Sequence, residues 1–408
     1  MLSNPHHTMS DFEQELDGRL VAIRKQGLHR ELRPLGSPQL PNIQIDGRSL
    51  LNFSSNDYLG LANHPALKEA AIRAVEKYGA GSGASRLICG SLPPHQELEQ
   101  ALCEFKKTEA ALAFSSGYAT ALGAICALLD KDDVIVIDKL VHACIVDAAR
   151  LSGAKLRIFG HNKLNDLAGI LQWADRRHSA SKTKRPRTLI VTESLFSMDG
   201  DVAPLKKIVA LKEQFGAWLM VDEAHATGLY GAQRRGLAEE AGVTDRIEIQ
   251  MGTLGKALGA SGGYICGSRR LIDLLINRAR SFIFSTAPVP AACAAASAAI
   301  RLVQSTEGAE RCYLLWRVVE KARSAMKEKP ARNREPSSAI IPWLIGDEQE
   351  ALMAAALLRE RGIFIPAIRY PTVARGQARL RVTVTAAHTA EDIAVLARTL
   401  EPIVKRKS

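Results

Sequence analysis

The sequence has 408 residues, 47% of them apolar and 24% charged, which is enough chain to bury a substantial core in one larger and one smaller domain. No apolar run could cross a bilayer, the opening MLSNPHHTMSDFEQ has neither a basic region nor an apolar signal core, and Cys89, Cys103, Cys126, Cys144, Cys266, Cys293 and Cys312 form no C-x-x-C pair. No membrane span, secretory leader or cysteine-held framework is therefore expected, the cytoplasm is the expected location, and the net charge of +11 leaves nucleic acid or a polyanionic substrate such as a nucleotide thioester as partners to weigh.

In chain order, ELDGRLVAIRKQGLHREL (15–32) predicts an amphipathic helix and IQIDGRSLLNF (43–53) short strands. From about residue 65 helices and strands alternate: PALKEAAIRAVEKYG and HQELEQALCEFK are helical, AALAF a strand, YATALGAICALL a helix, and DVIVID and KLRIF strands around a helix near residue 146. The basic cluster DRRHSASKTKRPR (175–187) reads as a solvated loop. RTLIVTES, WLMVDEA and IEIQMGT are apolar, β-rich runs, the first two separated by the helical PLKKIVALKEQFG. Continuous apolar strands alternating with helices predict an α/β fold with a mainly parallel sheet covered on both faces. After Pro288 and Pro290 a long Ala-rich helix leads into SAIIPWLIG, EQEALMAAALLRERG, IFIPAI, ARLRVTVTA and a terminal helix, a smaller α+β unit. The expected division is 1–55 for the N-terminal helix and short strands, 56–288 for the large domain and 289–408 for the small one, with no internal repeat.

The run LMVDEAHATG (219–228) contains the Asp-Glu-Ala-His tetrad of a helicase motor. That reading requires a phosphate-cradling Gly-x-x-x-x-Gly-Lys-[Ser/Thr] loop upstream. The one Gly-Lys pair, Gly255-Lys256, lies downstream, is followed by Ala257, and has Gln250 where the loop needs glycine. The motor reading fails, and Asp222 is instead a buried acid at the C-terminal end of a strand, where open α/β sheets bind ligands and a positive partner is needed.

MGTLGKALGASGG places Lys256 on a tight loop after the strand IEIQ, which suits Schiff-base chemistry as well as it suits an ordinary surface lysine. Paired with Asp222 the balance moves: an acid and a lysine on strand ends of one sheet can grip opposite ends of pyridoxal phosphate, the acid on the ring nitrogen and the lysine on the aldehyde carbon. AFSSGYAT is a strand–turn–helix whose backbone N–H groups at Gly117 and Tyr118 would meet a phosphate. His142 in DKLVHACI could lie on the ring, and Ser197 in TESLFSMDGD could reach a ring substituent; a core histidine and a capping serine are the plain alternatives.

Together LNFSSNDYLGL, GSGASRL, FSSGYAT, ESLFSMDGD, VDEAHATG, TLGKALGASGG and RLRVTVTAAH resemble the α-oxoamine synthases, fold-type-I pyridoxal-phosphate enzymes that join an amino acid to an acyl-CoA with loss of carbon dioxide. The resemblance runs from about residue 12 to 402. GSGASRL and TLGKALGASGGY favour the member that condenses L-alanine with a pimeloyl thioester, delivered by CoA or a carrier protein, for biotin synthesis; LICGS keeps the glycine-plus-acetyl-CoA member as runner-up. The resemblance implies that Lys256 carries the cofactor, Asp222 pairs with the ring nitrogen, His225 and Ser197 bond the ring oxygen, and His142 stacks on the ring and meets substrate. It implies Thr253 with Gly117 and Tyr118 at the phosphate, and Asn56 and Arg381 at the amino-acid carboxylate. Arg30 (with Arg33 close by in sequence) and Thr372 are implied at the acyl thioester. Arg30, Arg369 and Thr372 are then candidates for the distant carboxylate of the acyl chain. Thr286 in IFSTAP is implied to reach the neighbouring subunit's phosphate, hence a homodimer. No metal, nucleic acid or membrane is expected, and a pyridoxal-fold regulator would need a DNA-binding segment for which there is no extra chain.

Overall fold

The computed structural model describes residues 10–179, 186–326 and 338–404. The strands in chain order are β1 (Asn42–Ile45), β2 (Arg48–Asn52), β3 (Ala110–Phe114), β4 (Val134–Asp138), β5 (Lys155–Phe159), β6 (Thr188–Glu193), β7 (Trp218–Asp222), β8 (Ile249–Thr253), β9 (Gly263–Gly267), β10 (Ile340–Gly346), β11 (Ile363–Phe364), β12 (Ala367–Ile368) and β13 (Ala378–Thr383). A seven-stranded sheet in the order β3-β9-β8-β7-β6-β4-β5 forms the centre. Its β5-β4-β6-β7-β8 run is parallel, and β9 lies antiparallel between β8 and β3. β3, β4, β6 and β9 are buried at every residue, as their largely apolar sequences require when helices cover both faces, with Asp138 and Glu193 as buried acids at the ends of β4 and β6. The edge strand β5 carries Lys155 and Arg157 and is only partly covered.

Asp46 and Gly47, both at positive φ, close the two-residue β1–β2 hairpin, and β11 adds to β2 in parallel, so the N-terminal segment is tied to residues 363–364. IFIPAI, expected as one strand, is two: Pro366 interrupts it, and β11 and β12 enter different sheets. β12 joins β13 and β10 in an antiparallel three-stranded sheet. The predicted N-terminal helix spans Asp11–Lys25, opened by a Ser10/Glu13 capping box and followed by Gly27 at φ 67°, so GLHREL lies outside it. The Ala-rich helix after Pro290 ends at Gln304, and Ser305 caps a second helix, Thr306–Ala325. Of the basic cluster, residues 180–185 lie outside the described residues, and Asp175 to Ser179 belong to the helix Leu164–Ser179. Among the described residues no helix is long and apolar enough to cross a membrane, and no cluster of His, Cys, Asp and Glu could hold a metal ion.

Candidate active site

Parallel strands deliver their C-terminal ends to one edge. In register, Glu193 of β6 pairs with Asp222 of β7, and Asp222 with Met251 of β8, so the loops after these strands meet there. Asp222 is buried and its Oδ1 accepts the Ala224 N–H at 2.9 Å. Burial raises its carboxyl above the usual carboxylate range, opposed chiefly by Lys256. Lys256 lies in the loop after β8. Gly259, at φ 61°, seats that loop: a Cβ there would come within 2.5 Å of the Ala62 nitrogen. Burial lowers the Lys256 ammonium to about 8, against the pull of Asp222 and Glu193 in the other direction. The two sequence-predicted partners therefore share one buried electrostatic neighbourhood.

From Lys256 a chain of polar contacts crosses the site. Its Nζ lies 2.6 Å from His225 Nε2, and His225 Nδ1 lies 2.6 Å from the Tyr58 hydroxyl. Tyr58 donates to Asn56 Oδ1 at 3.3 Å, an oxygen that also accepts from Arg381 Nη1 at 3.1 Å. Burial holds His225 well below the usual imidazole pKa and Tyr58 above the usual phenol value, so both are neutral near pH 7. With Lys256 as ammonium, one proton arrangement satisfies every member: Lys256 donates to Nε2, Nδ1–H donates to Tyr58, and Tyr58 donates to Asn56. Arg381 Nε donates to the Ser197 carbonyl at 2.6 Å and Nη1 to Thr383 Oγ1 at 2.8 Å, while Nη2 is buried without an acceptor. An orphaned guanidinium nitrogen in a buried site calls for an anion.

The turn after β3 opens the helix Gly117–Leu128, with Ser116 as its cap. Gly117 faces Thr253: a Cβ on it would lie 3.7 Å from that threonine's Cβ. Gly263 on β9 must also lack a side chain, since its Cβ would meet the Gly117 nitrogen at 2.8 Å. Thr253 Oγ1 donates to the Gly262 carbonyl at 3.0 Å and accepts the Gly255 N–H at 3.3 Å. Tyr118 is half exposed, its hydroxyl donating to Asp147 Oδ2 at 2.7 Å. His142 caps the helix Ala143–Leu151 through Nδ1, which accepts the Cys144 N–H at 3.3 Å, and its ring is open to solvent. Burial, then Lys256, lowers its pKa. Thr286 is exposed and bridged to Ser85.

Arg30, Arg369 and Thr372 line one cavity of about 550 Å³ together with Arg33 and Arg359. Arg30 Nη2 donates to the Tyr370 carbonyl at 3.4 Å and Arg369 Nη2 to the His29 carbonyl at 2.5 Å, which ties residues 340 positions apart. Burial and then Arg30 lower the Arg369 pKa. Among the described residues none of the four guanidiniums forms an ion pair, and Leu352, Ala355, Phe364 and Ile365 supply apolar walls. Sequence reading found three of these polar groups. It missed Arg359, Tyr58 and Glu193, although Tyr58 and Glu193 stand inside the motifs SSNDYLG and TESLFSMDGD.

The model of the aminotransferase class I and II family matches residues 48–400. The 8-amino-7-oxononanoate synthase of Anaeromyxobacter dehalogenans is 47% identical over 378 residues, 93% of this chain and 92% of its own length. That of Geobacter sulfurreducens is 47% identical over 380 residues, 93% and 95% of the two chains. Among solved structures, serine palmitoyltransferase from S. paucimobilis with a bound PLP–myriocin aldimine superposes with TM-score 0.87 at 28% identity, covering 98% of this chain and 99% of that one. The 8-amino-7-oxononanoate synthase of Francisella tularensis gives TM-score 0.70 at 28% identity, covering 88% and 97%.

Proposed function

The chain belongs to the aminotransferase class I and II family and, within it, to the 8-amino-7-oxononanoate synthases, and from that premise we propose that the Lys256–Asp222 site carries the decarboxylative condensation of L-alanine with a pimeloyl thioester. The enzyme is a pyridoxal-phosphate-dependent acyltransferase of biotin biosynthesis. The observation that carries the assignment of residues is the buried meeting of a strand-end acid, a loop lysine with a lowered pKa and an orphaned guanidinium.

The residues fit the cofactor: Asp222 needs a cation, Lys256 has its amine within the site, and Gly117 with Thr253 leaves room at a helix N-terminus for a phosphate. When bound, pyridoxal phosphate supplies an electron sink for the carbanion formed at the amino acid's Cα. Asp222 would hold the proton on the ring nitrogen, and each pKa unit it added would be worth about 1.4 kcal/mol in favour of that form. The Lys256 amine takes and returns the Cα proton, with His225 and Tyr58 fixing its direction. His142 would pack on the ring, Ser197 and His225 would bond the ring oxygen, and Arg381 with Asn56 would hold the alanine carboxylate. Arg30, Arg369 and Thr372 receive the acyl substrate, whose far carboxylate suits guanidiniums that outnumber Glu31, the acid lining the same cavity, and that form no ion pair among the described residues. The working unit is a homodimer in which Thr286 serves the neighbouring site. Leu87, Ile88, Phe284 and Val289, all exposed around the Ser85–Thr286 bridge, give it an apolar contact face.

Borohydride reduction of the purified enzyme, followed by peptide mapping, tests the assignment. Cofactor fixed to Lys256 is the expected result, and cofactor fixed to any other lysine refutes it.

A further inference from the structure

Glu193 is a second carboxyl under the same site, and the residues named so far leave it without a role. It ends β6, sits in register beside Asp222, and is only 2% exposed. Its Oε1 accepts the main-chain N–H of His142 at 2.5 Å, at the point where the helix Ala143–Leu151 begins. His142 in turn uses Nδ1 to cap that helix, so the imidazole's place depends on where the helix start is held. The groups facing Glu193 are Asp222 from β7, Lys256 from the loop after β8, His142 and Cys144 from the helix start, and the Ser197 main-chain N–H from the loop after β6. Lys256 is the one cation among them, and once its amine is committed to a cofactor the positive charge left is the ring nitrogen's, which answers Asp222 and leaves nothing to offset a second carboxylate on the neighbouring strand, roughly 5 Å away. Two ionised acids cannot share such a buried space.

We propose that Glu193 is a positioning residue that stays protonated in the resting enzyme, fixing His142 through its main-chain N–H and leaving Asp222 as the single carboxylate facing the cofactor's ring nitrogen. The proposal rests on the cofactor reading above. Burial and the Asp222 charge together lift the Glu193 carboxyl to about 8. Glu193→Gln keeps the acceptor oxygen but cannot ionise; Glu193→Ala deletes the acceptor.

The test compares holoenzyme forms of the parent and both variants. The parent's infrared spectrum at neutral pH should carry a protonated-carboxyl C=O stretch that is missing from E193Q. L-Alanine binding, read from the visible cofactor band, should weaken by about tenfold in E193A and be restored in E193Q, since only the former strands the His142 N–H. A parent spectrum identical to that of E193Q, or an E193A variant that binds alanine like the parent, overturns the proposal. The infrared arm reads Glu193 whether or not the cofactor is held as proposed, and borohydride labelling of Lys256 tests that separately.

Discussion

Glu223 follows Asp222 in the chain but belongs to different physics. Its Oε2 accepts from Lys106 Nζ at 2.6 Å, both side chains are 1% exposed, and its Oε1 accepts the Ala238 N–H at 2.9 Å. Burial alone would lower the Lys106 pKa, and Glu223 more than offsets it, so the ammonium stays charged. No magnesium or ATP gives Glu223 a catalytic role here, but the buried ion pair gives it a structural one. Glu223→Gln leaves an uncompensated ammonium in the core and should cost about 3–5 kcal/mol of stability in urea denaturation, with much of it recovered when Lys106→Met is added. Asp222→Asn is the contrasting case. It should fold normally and keep cofactor while losing a charge-assisted bond of roughly 1.5–3 kcal/mol, and more in turnover, as kinetics on the loaded variant would show. Unchanged turnover would remove Asp222 from the site. Tyr58→Phe should lower kcat/KM with the fold intact, because it strips the His225 Nδ1 of its partner, a loss of about 1–3 kcal/mol in a buried site. Asp222 and Lys256 were legible because a strand end and a Gly-flanked loop can be read locally. Glu193 and Tyr58 were not, because their roles arise from strand register and from a contact spanning 167 positions.

At the level of elements, the loop that presents Ser197 is braced by a clamp. His161, after β5, places Nδ1 2.9 Å from Asp138 Oδ1 at the end of β4 and Nε2 2.7 Å from Asp201 Oδ2. The Phe196 N–H donates to the Asp201 carbonyl, which closes the loop. Burial draws the imidazole pKa down, but the two aspartates raise it to about 10. A folded pKa above the unfolded value of about 6.5 means that the clamp stabilises in full below that value and is lost as pH rises through about 10. The gap in unfolding free energy between the parent and His161→Ala should therefore narrow from neutral pH to pH ~10; a gap that stays constant or widens would contradict the charged clamp. Nothing in the lone His161 signals this, since its partners come from separate strand ends. The alternating helices and parallel strands, by contrast, follow from periodicity and unbroken apolar runs. The breaks at Gly27, Ser305 and Pro366 lay in the sequence as a C-terminal glycine, a cap and a proline inside longer patterns.

At the scale of the molecule, three regions distant in sequence supply the proposed cofactor and acyl sites: the segment around Arg30, the strand ends between residues 193 and 256, and the segment from Arg359 to Arg381. The four guanidiniums of the cavity account locally for part of the +11 charge, in a place suited to an anionic acyl donor. Arg30→Ala should weaken use of the pimeloyl substrate while leaving the spectral binding of alanine intact. The most direct test of the whole reading is kcat/KM for L-alanine with pimeloyl-CoA against glycine with acetyl-CoA, followed by released CoA. The expected result is a preference of at least about tenfold for the first pair, which needs only ~1.4 kcal/mol of differential transition-state binding; a preference for glycine and acetyl-CoA would contradict it.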